Sequence, residues 1–197
     1  MTEPVRTIRD LILHRYAELV AGRALRRRDL VGTAEDRAAY VEKSFTDLKS
    51  GRLKWNDALI ASQQTVDEER RCAFCGAKAP LQRQALVPTT LKVNAACPRC
   101  GRVQGPSNQF WCCDACGVLK RGRGLYQFFW VLASDYDGFW ELIPEHLEGR
   151  YLGTIYYCHE CAGTLDAGDL DGDGELTLLD VDHVIAQYDR PGSVSSP

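Results

Sequence analysis

Eight of the nine cysteines in this 197-residue chain stand in four C-x-x-C pairs: Cys72/Cys75, Cys97/Cys100, Cys113/Cys116 and Cys158/Cys161. Two intervening residues let the backbone turn so that both thiolates face one ion while nearby N–H groups donate to the sulfurs. Four thiolates close a tetrahedral site and leave no open position for catalysis. Four pairs therefore predict two structural Zn²⁺ ions, and the ninth, Cys112, is expected to be a buried bystander. No stretch approaches the roughly 18 apolar residues that span a bilayer. The N-terminus lacks the charged-then-apolar layout of a signal peptide. Metal thiolates in a cytoplasmic protein, away from membranes, are thus expected in preference to disulfides.

Spacing leaves the pairing open. Cys97/Cys100 and Cys113/Cys116, 12 residues apart, have the look of a local zinc ribbon, which leaves the outer pairs to each other. The alternative interleaves them, Cys72/Cys75 with Cys113/Cys116 and Cys97/Cys100 with Cys158/Cys161.

Charge is segregated along the chain. Residues 72–125 carry eight basic groups against the single acid Asp114, whereas residues 126–197 carry Arg150 and Arg190 against 14 acids. The net charge of −3 hides this division, and the local excess of +7 points to nucleic acid. Lys120, Arg121 and Arg123, spaced by Gly122 and Gly124, let cations and backbone N–H groups approach phosphates. Lys78, Arg83, Lys92, Arg99 and Arg102 extend the patch, and Arg26-Arg27-Arg28 is a second cluster. Nothing encodes base-specific readout, so the expected contact with DNA or RNA is sequence-tolerant and salt-sensitive. The acidic C-terminal region is a candidate surface for a protein partner.

Before Cys72 the pattern is helical. Ile8, Leu11, Ile12, Leu19 and Val20 form a stripe in a helix from Pro4 to about Arg28. Thr33-Ala34-Glu35-Asp36 is a capping box with Asp at its third position, opening a helix to about Lys49 with Tyr40, Val41 and Phe45 inward. A third helix is expected over Asp57–Arg71, another after Cys116, and a short one over Arg150–Cys161. Tyr126, Phe128, Phe129 and Trp130 supply core. The divisions are a helical segment over 1–71, a zinc module over 72–165, a loop and helix over 166–190, and a disordered tail over 191–197.

Cys72-Ala73-Phe74-Cys75-Gly76, Leu86-Val87-Pro88, and Asn108-Gln109-Phe110-Trp111 running into Cys113 and Cys116 resemble HNH endonucleases. The likeness is to the zinc-bearing kind with an early C-x-x-C, a string E-H-L-I-P and a later N-x-x-x-A-C-x-x-C-N. Lys120, Gly124, Leu125, Tyr126 and Phe128 fit the family's ending, and Tyr151-Leu152 with Cys158 to Asp166 resembles a subset. The resemblance covers roughly residues 70 to 185. It implies an α+β protein with a ββα-metal, treble-clef-like module, and it favours the interleaved zinc pairing. In that family a strand His is general base, and an acidic or His neighbour with a helix His or Asn holds one divalent metal, Mg²⁺ or Mn²⁺, against the scissile phosphate. Here the E-H step falls on Gln84-Ala85 and the C-N step ends in Gly117, so only Asn108 remains. His14, His146, His159 and His183 fit no base position.

Asp169 to Asp180 reads D-x-D-G-D-G-x-L-x-x-x-D, a 12-residue Ca²⁺ loop. Asp169, Asp171 and Asp173 occupy positions 1, 3 and 5, with Gly174 at the turn. Glu175 offers its carbonyl, Thr177 stands at position 9 and Asp180 at position 12. Asp at 12 resembles dockerin-type repeats, and one structural Ca²⁺ is expected. The leading functional expectation is nucleic-acid binding by a degenerate HNH module. The alternatives are an active metal-dependent endonuclease and a zinc-ribbon interaction module.

Overall fold

A computed structural model describes residues 4–27, 33–54, 70–78, 80–88, 108–134 and 137–188. Among them are six α-helices and one two-stranded antiparallel sheet, an α+β arrangement. Helix α1 runs over Ile8–Arg27 and α2 over Ala34–Lys49. The expected capping box is formed: the Thr33 hydroxyl accepts from Asp36 N–H at 3.2 Å and Asp36 accepts from Thr33 N–H at 3.0 Å. These contacts satisfy two of the donors that a helix start leaves open. Ile8, Ile12, Leu19, Val20, Val41 and Phe45 are buried as their spacing predicts, while Leu11 and Tyr40 are half-buried.

Most of the expected third helix lies outside the described residues, and Arg70 and Arg71 at its end are not helical. Strand β1, Leu81–Ala85, pairs with β2, Gln109–Cys113, in a register that sets Arg83 opposite Trp111 and Gln84 opposite Phe110. Helix α3, Asp114–Lys120, follows without a break. The sequence placed a helix after Cys116; it starts instead inside the pair, with Cys113 at its N-cap. Helix α4 spans Leu125–Leu132, and a 3-10 turn spans Phe139–Leu142.

Helix α5, Glu145–Ala162, starts five residues before the expected Arg150. Pro144 stands at its N-cap, where a missing N–H costs little, and Glu145 and Glu148 suit the positive end of the helix. Helix α6, Leu178–Tyr188, follows the acidic loop. The tail over 191–197 lies outside the described residues.

One hydrophobic cluster runs through all six helices and the sheet. Helix α1 also bonds to the segment after α5, with Ile8 N–H donating to Ala167 O and Arg9 N–H to Leu165 O, both at 2.8 Å. Within the core Arg15 grips Glu148 through two hydrogen bonds, at 2.7 and 3.1 Å, and Tyr126 donates to the same carboxylate at 3.0 Å. Burial raises the Glu148 pKa despite the opposing pull of Arg15 and Tyr126. No helix among the described residues is long and apolar enough to cross a membrane.

Candidate metal centre

The outer knuckle and the strand-helix junction meet at one point. Cys72, Cys75, Cys113 and Cys116 bring their sulfurs within 4.8 Å of one another, and the Cys75 and Cys113 Sγ atoms are 3.8 Å apart. Thiolates placed tetrahedrally at about 2.3 Å from an ion sit about 3.8 Å from each other, so this donor set fits a metal ion. Among the described residues, Cys113 and Cys116 face the first pair, as the interleaved arrangement expects.

The knuckle is held from both sides. Gly76 N–H closes the turn onto Cys72 O at 2.9 Å, and Ala73 N–H donates to Trp111 O on β2 at 2.9 Å. Phe74, between the two cysteines, packs on Phe110, Phe128 and Phe129 with ring centroids 5.0, 4.5 and 5.9 Å away. Burial opposes ionisation of Cys72, but the N–H groups of Cys113, Cys75 and Phe74 outweigh it and bring that thiol down to about 6. Burial and neighbouring thiols push Cys116 up. Cys112 is fully buried, its thiol donates to Cys113 O at 3.2 Å, and burial raises it to about 12. It is a core cysteine, as its position outside the pairs predicted.

Of the residues expected at a second site, only two are described. Cys158 and Cys161 lie one turn apart on α5, Cys158 buried and Cys161 half-buried. Cys97 and Cys100 lie outside the described residues, and among those described no group of three or more potential ligands includes Cys158 or Cys161. His159 between them is fully buried and satisfied: Nε2 lies 2.9 Å from Val181 O and Nδ1 2.8 Å from the Thr164 hydroxyl. Burial holds it down to about 4. It is a neutral structural histidine.

Gln84 and Ala85, at the end of β1, and Gly117 on α3 stand where the HNH resemblance would set catalytic residues, and Gln84 and Gly117 meet. A Cβ built on Gly117 would meet Gln84 Nε2 at 2.2 Å. The Gln84 amide therefore occupies the space that a side chain at 117 would need, and a larger residue there would have to turn that amide aside. Ala85 offers no base, and this group of residues does not fit a catalytic divalent ion. Asn108, carried over as the remnant catalytic residue, has a different task. It is buried, accepts Val87 N–H at 2.8 Å and donates to Val87 O at 3.1 Å, so both ends of its amide clamp the loop after β1.

The basic run is corrected in one residue. Lys120 was expected on the surface, but it is 1% exposed, and its ammonium donates to Arg123 O at 3.0 Å. Burial lowers it to about 8, with Asp182 and Cys112 acting the other way. Spacing in a glycine-rich basic run carries no sign of which cation turns inward. Arg121 is exposed; Arg123 is half-buried, with its guanidinium on Leu119 O. Exposed Arg83 stacks 4.7 Å above the Trp111 ring. Of the second cluster, Arg26 pairs with Glu145.

In the acidic loop the carboxylates of Asp169, Asp171 and Asp180 lie within 4.8 Å of one another. Asp169 accepts Gly172 N–H at 2.6 Å and Gly174 N–H at 2.7 Å, which lower its pKa. Asp180, fully buried, accepts Leu170 N–H and Thr177 N–H at 2.7 and 2.8 Å and closes the base of the loop. Asp173, Glu175 and Thr177 belong to the loop but not to this cluster; Asp173 accepts Glu175 N–H at 2.8 Å.

Asp182, which belongs to no sequence motif, is buried where α6 meets α4 and α5, accepting from Gln127 N–H at 2.7 Å and from the Tyr151 hydroxyl. Burial raises it to about 7. Its i, i+2 offset from Asp180 gives it the look of one more acid of the loop.

Comparison with protein-family models, curated proteins and solved structures finds no match to this chain.

Proposed function

We propose that this chain binds nucleic acid without sequence preference, through a zinc-held ββα-metal frame whose nuclease centre has been replaced. The observation that carries the reading is the Gln84 amide seated on Gly117. Two antiparallel strands followed directly by a helix, with a four-cysteine cluster at the junction, support this reading, being compatible with the frame that the HNH resemblance implies. At the point where that frame would hold a divalent ion and a base, it carries a glycine, an alanine and a neutral amide instead. The cation excess of residues 72–125 remains, with Arg83, Arg121 and Lys78 exposed. Zn²⁺ is the ion of choice for four thiolates, and a second Zn²⁺ between Cys97/Cys100 and Cys158/Cys161 completes the interleaved arrangement. The acidic loop takes a Ca²⁺ through Asp169, Asp171 and Asp180.

The test pairs binding with cleavage. Anisotropy of labelled DNA and RNA is followed across a salt series for the wild type and for Arg83→Gln/Arg121→Gln. Affinity falls steeply with salt in the wild type, and the double variant shows a shallower slope, by about 0.9 for each duplex phosphate that is no longer neutralised. Plasmid incubated with Mg²⁺ or Mn²⁺ stays intact. Metal-dependent nicking would restore the endonuclease reading, and no binding at low salt would leave a protein-interaction module.

A further inference from the structure

Two cavities adjoin on the acidic side of the molecule. The first, about 650 Å³, lies between α1, the 3-10 turn and the start of α6, with Leu11, Phe139, Trp140 and Leu176 in its wall. The second, about 510 Å³, lies over the seam of α4 and α6 and is lined by Gln127, His183 and Ile185. Trp130 and Leu179 line both, so the two form one groove with these side chains at its waist. Both are half-buried, presenting part of their apolar surface to solvent.

The rim is negative. Asp137, Asp171 and Asp173 are exposed along it, and among the described residues no lysine lines either cavity. The arginine that does, Arg15, is held by Glu148 and by Glu18 at 2.7 Å. Its charge is therefore already matched. The surrounding segment, residues 126–197, carries 14 acids against two arginines.

We propose that this groove docks a basic amphipathic helix of a partner protein. An elongated trough with apolar walls takes side chains at i, i+3, i+4 and i+7 from one helix face. Lysines and arginines flanking that face meet Asp137 and Asp173, and the same acids repel an acidic helix of equal hydrophobicity. Charge complementarity selects this occupant over a neutral or acidic one. The surface is separate from the arginines assigned to nucleic acid.

The experiment uses the full chain loaded with zinc and Ca²⁺ and a fluorescein-labelled peptide of about 18 residues, five helical turns, with leucines on one face and lysines elsewhere. A scrambled peptide of the same composition and a version with Glu for Lys are the comparisons. The amphipathic Lys peptide binds about tenfold or more tightly than either comparison. Asp137→Lys and Leu179→Asp each weaken it about fivefold or more, whereas Glu35→Lys, an exposed acid that lines neither cavity, leaves it unchanged. Equal binding of the scrambled peptide, loss on Glu35→Lys, or no binding overturns the proposal. So does concentration-dependent self-association of the chain that Leu179→Asp abolishes, which would give the groove to a second copy.

Discussion

Asp182 accepts the Gln127 backbone N–H at 2.7 Å, tying the helix after the acidic loop to the helix after the basic run. The Tyr151 hydroxyl donates to its other oxygen, and Lys120 partly offsets the rise in pKa that burial causes. Helices α4, α5 and α6 are thus joined through one buried carboxylate.

That carboxylate depends on a missing side chain. A Cβ on Gly124 would come within 2.1 Å of Asp182 Cγ and 2.2 Å of Oδ2, and the carboxylate is fixed by its hydrogen bonds. Gly124→Ala is expected to destabilise the fold by about 1–3 kcal/mol. Urea unfolding measures it, and an unchanged midpoint would mean that Asp182 has another place to go.

The Arg15–Glu148 pair makes a sharper prediction. Arg15→Met leaves Glu148 buried beside Tyr126 without a cation and costs about 3–5 kcal/mol. The double variant Arg15→Met/Glu148→Leu recovers most of that loss, because the stranded charge is gone. Additive losses in a double-mutant cycle by chemical denaturation would contradict this account.

His159 sets an acid limit. Its folded-state value of about 4 lies below the ordinary 6.5, so as pH falls the unfolded chain takes up the proton first. The stabilisation is whole above 6.5 and is lost between there and about 4, amounting to about 3 kcal/mol. Stability curves of wild type and His159→Asn should converge as pH falls through that window. Parallel curves would show that the ring titrates normally. Zinc content, measured at each pH for both proteins, separates the titration of the ring from loss of metal.

Cys113 links the four-cysteine cluster to the sheet and to α3 at once. Cys113→Ser is expected to remove about one equivalent of bound zinc per chain and to cost on the order of 5 kcal/mol or more. Elemental analysis with thermal unfolding reads both. Full zinc content in the variant would show that the ion sits elsewhere.

The sequence by itself determined the local features. The C-x-x-C spacing, the Thr33/Asp36 capping box and the apolar stripe of α1 each involve residues a few positions apart, and local geometry suffices to set them. That Ala85 and Gly117 offer neither a base nor a metal ligand was equally legible, because it rests on residue types alone. Tertiary structure decided what distant residues do to one another. The spacing left two pairings open, and only the folded chain shows Cys113 and Cys116 facing Cys72 and Cys75. It turned Lys120 inward, made Asn108 a loop clamp, and seated Gln84 over Gly117. Burial and the company of a charge across the chain are properties of packing, and a C-x-x-C pair or a basic run is compatible with many packings.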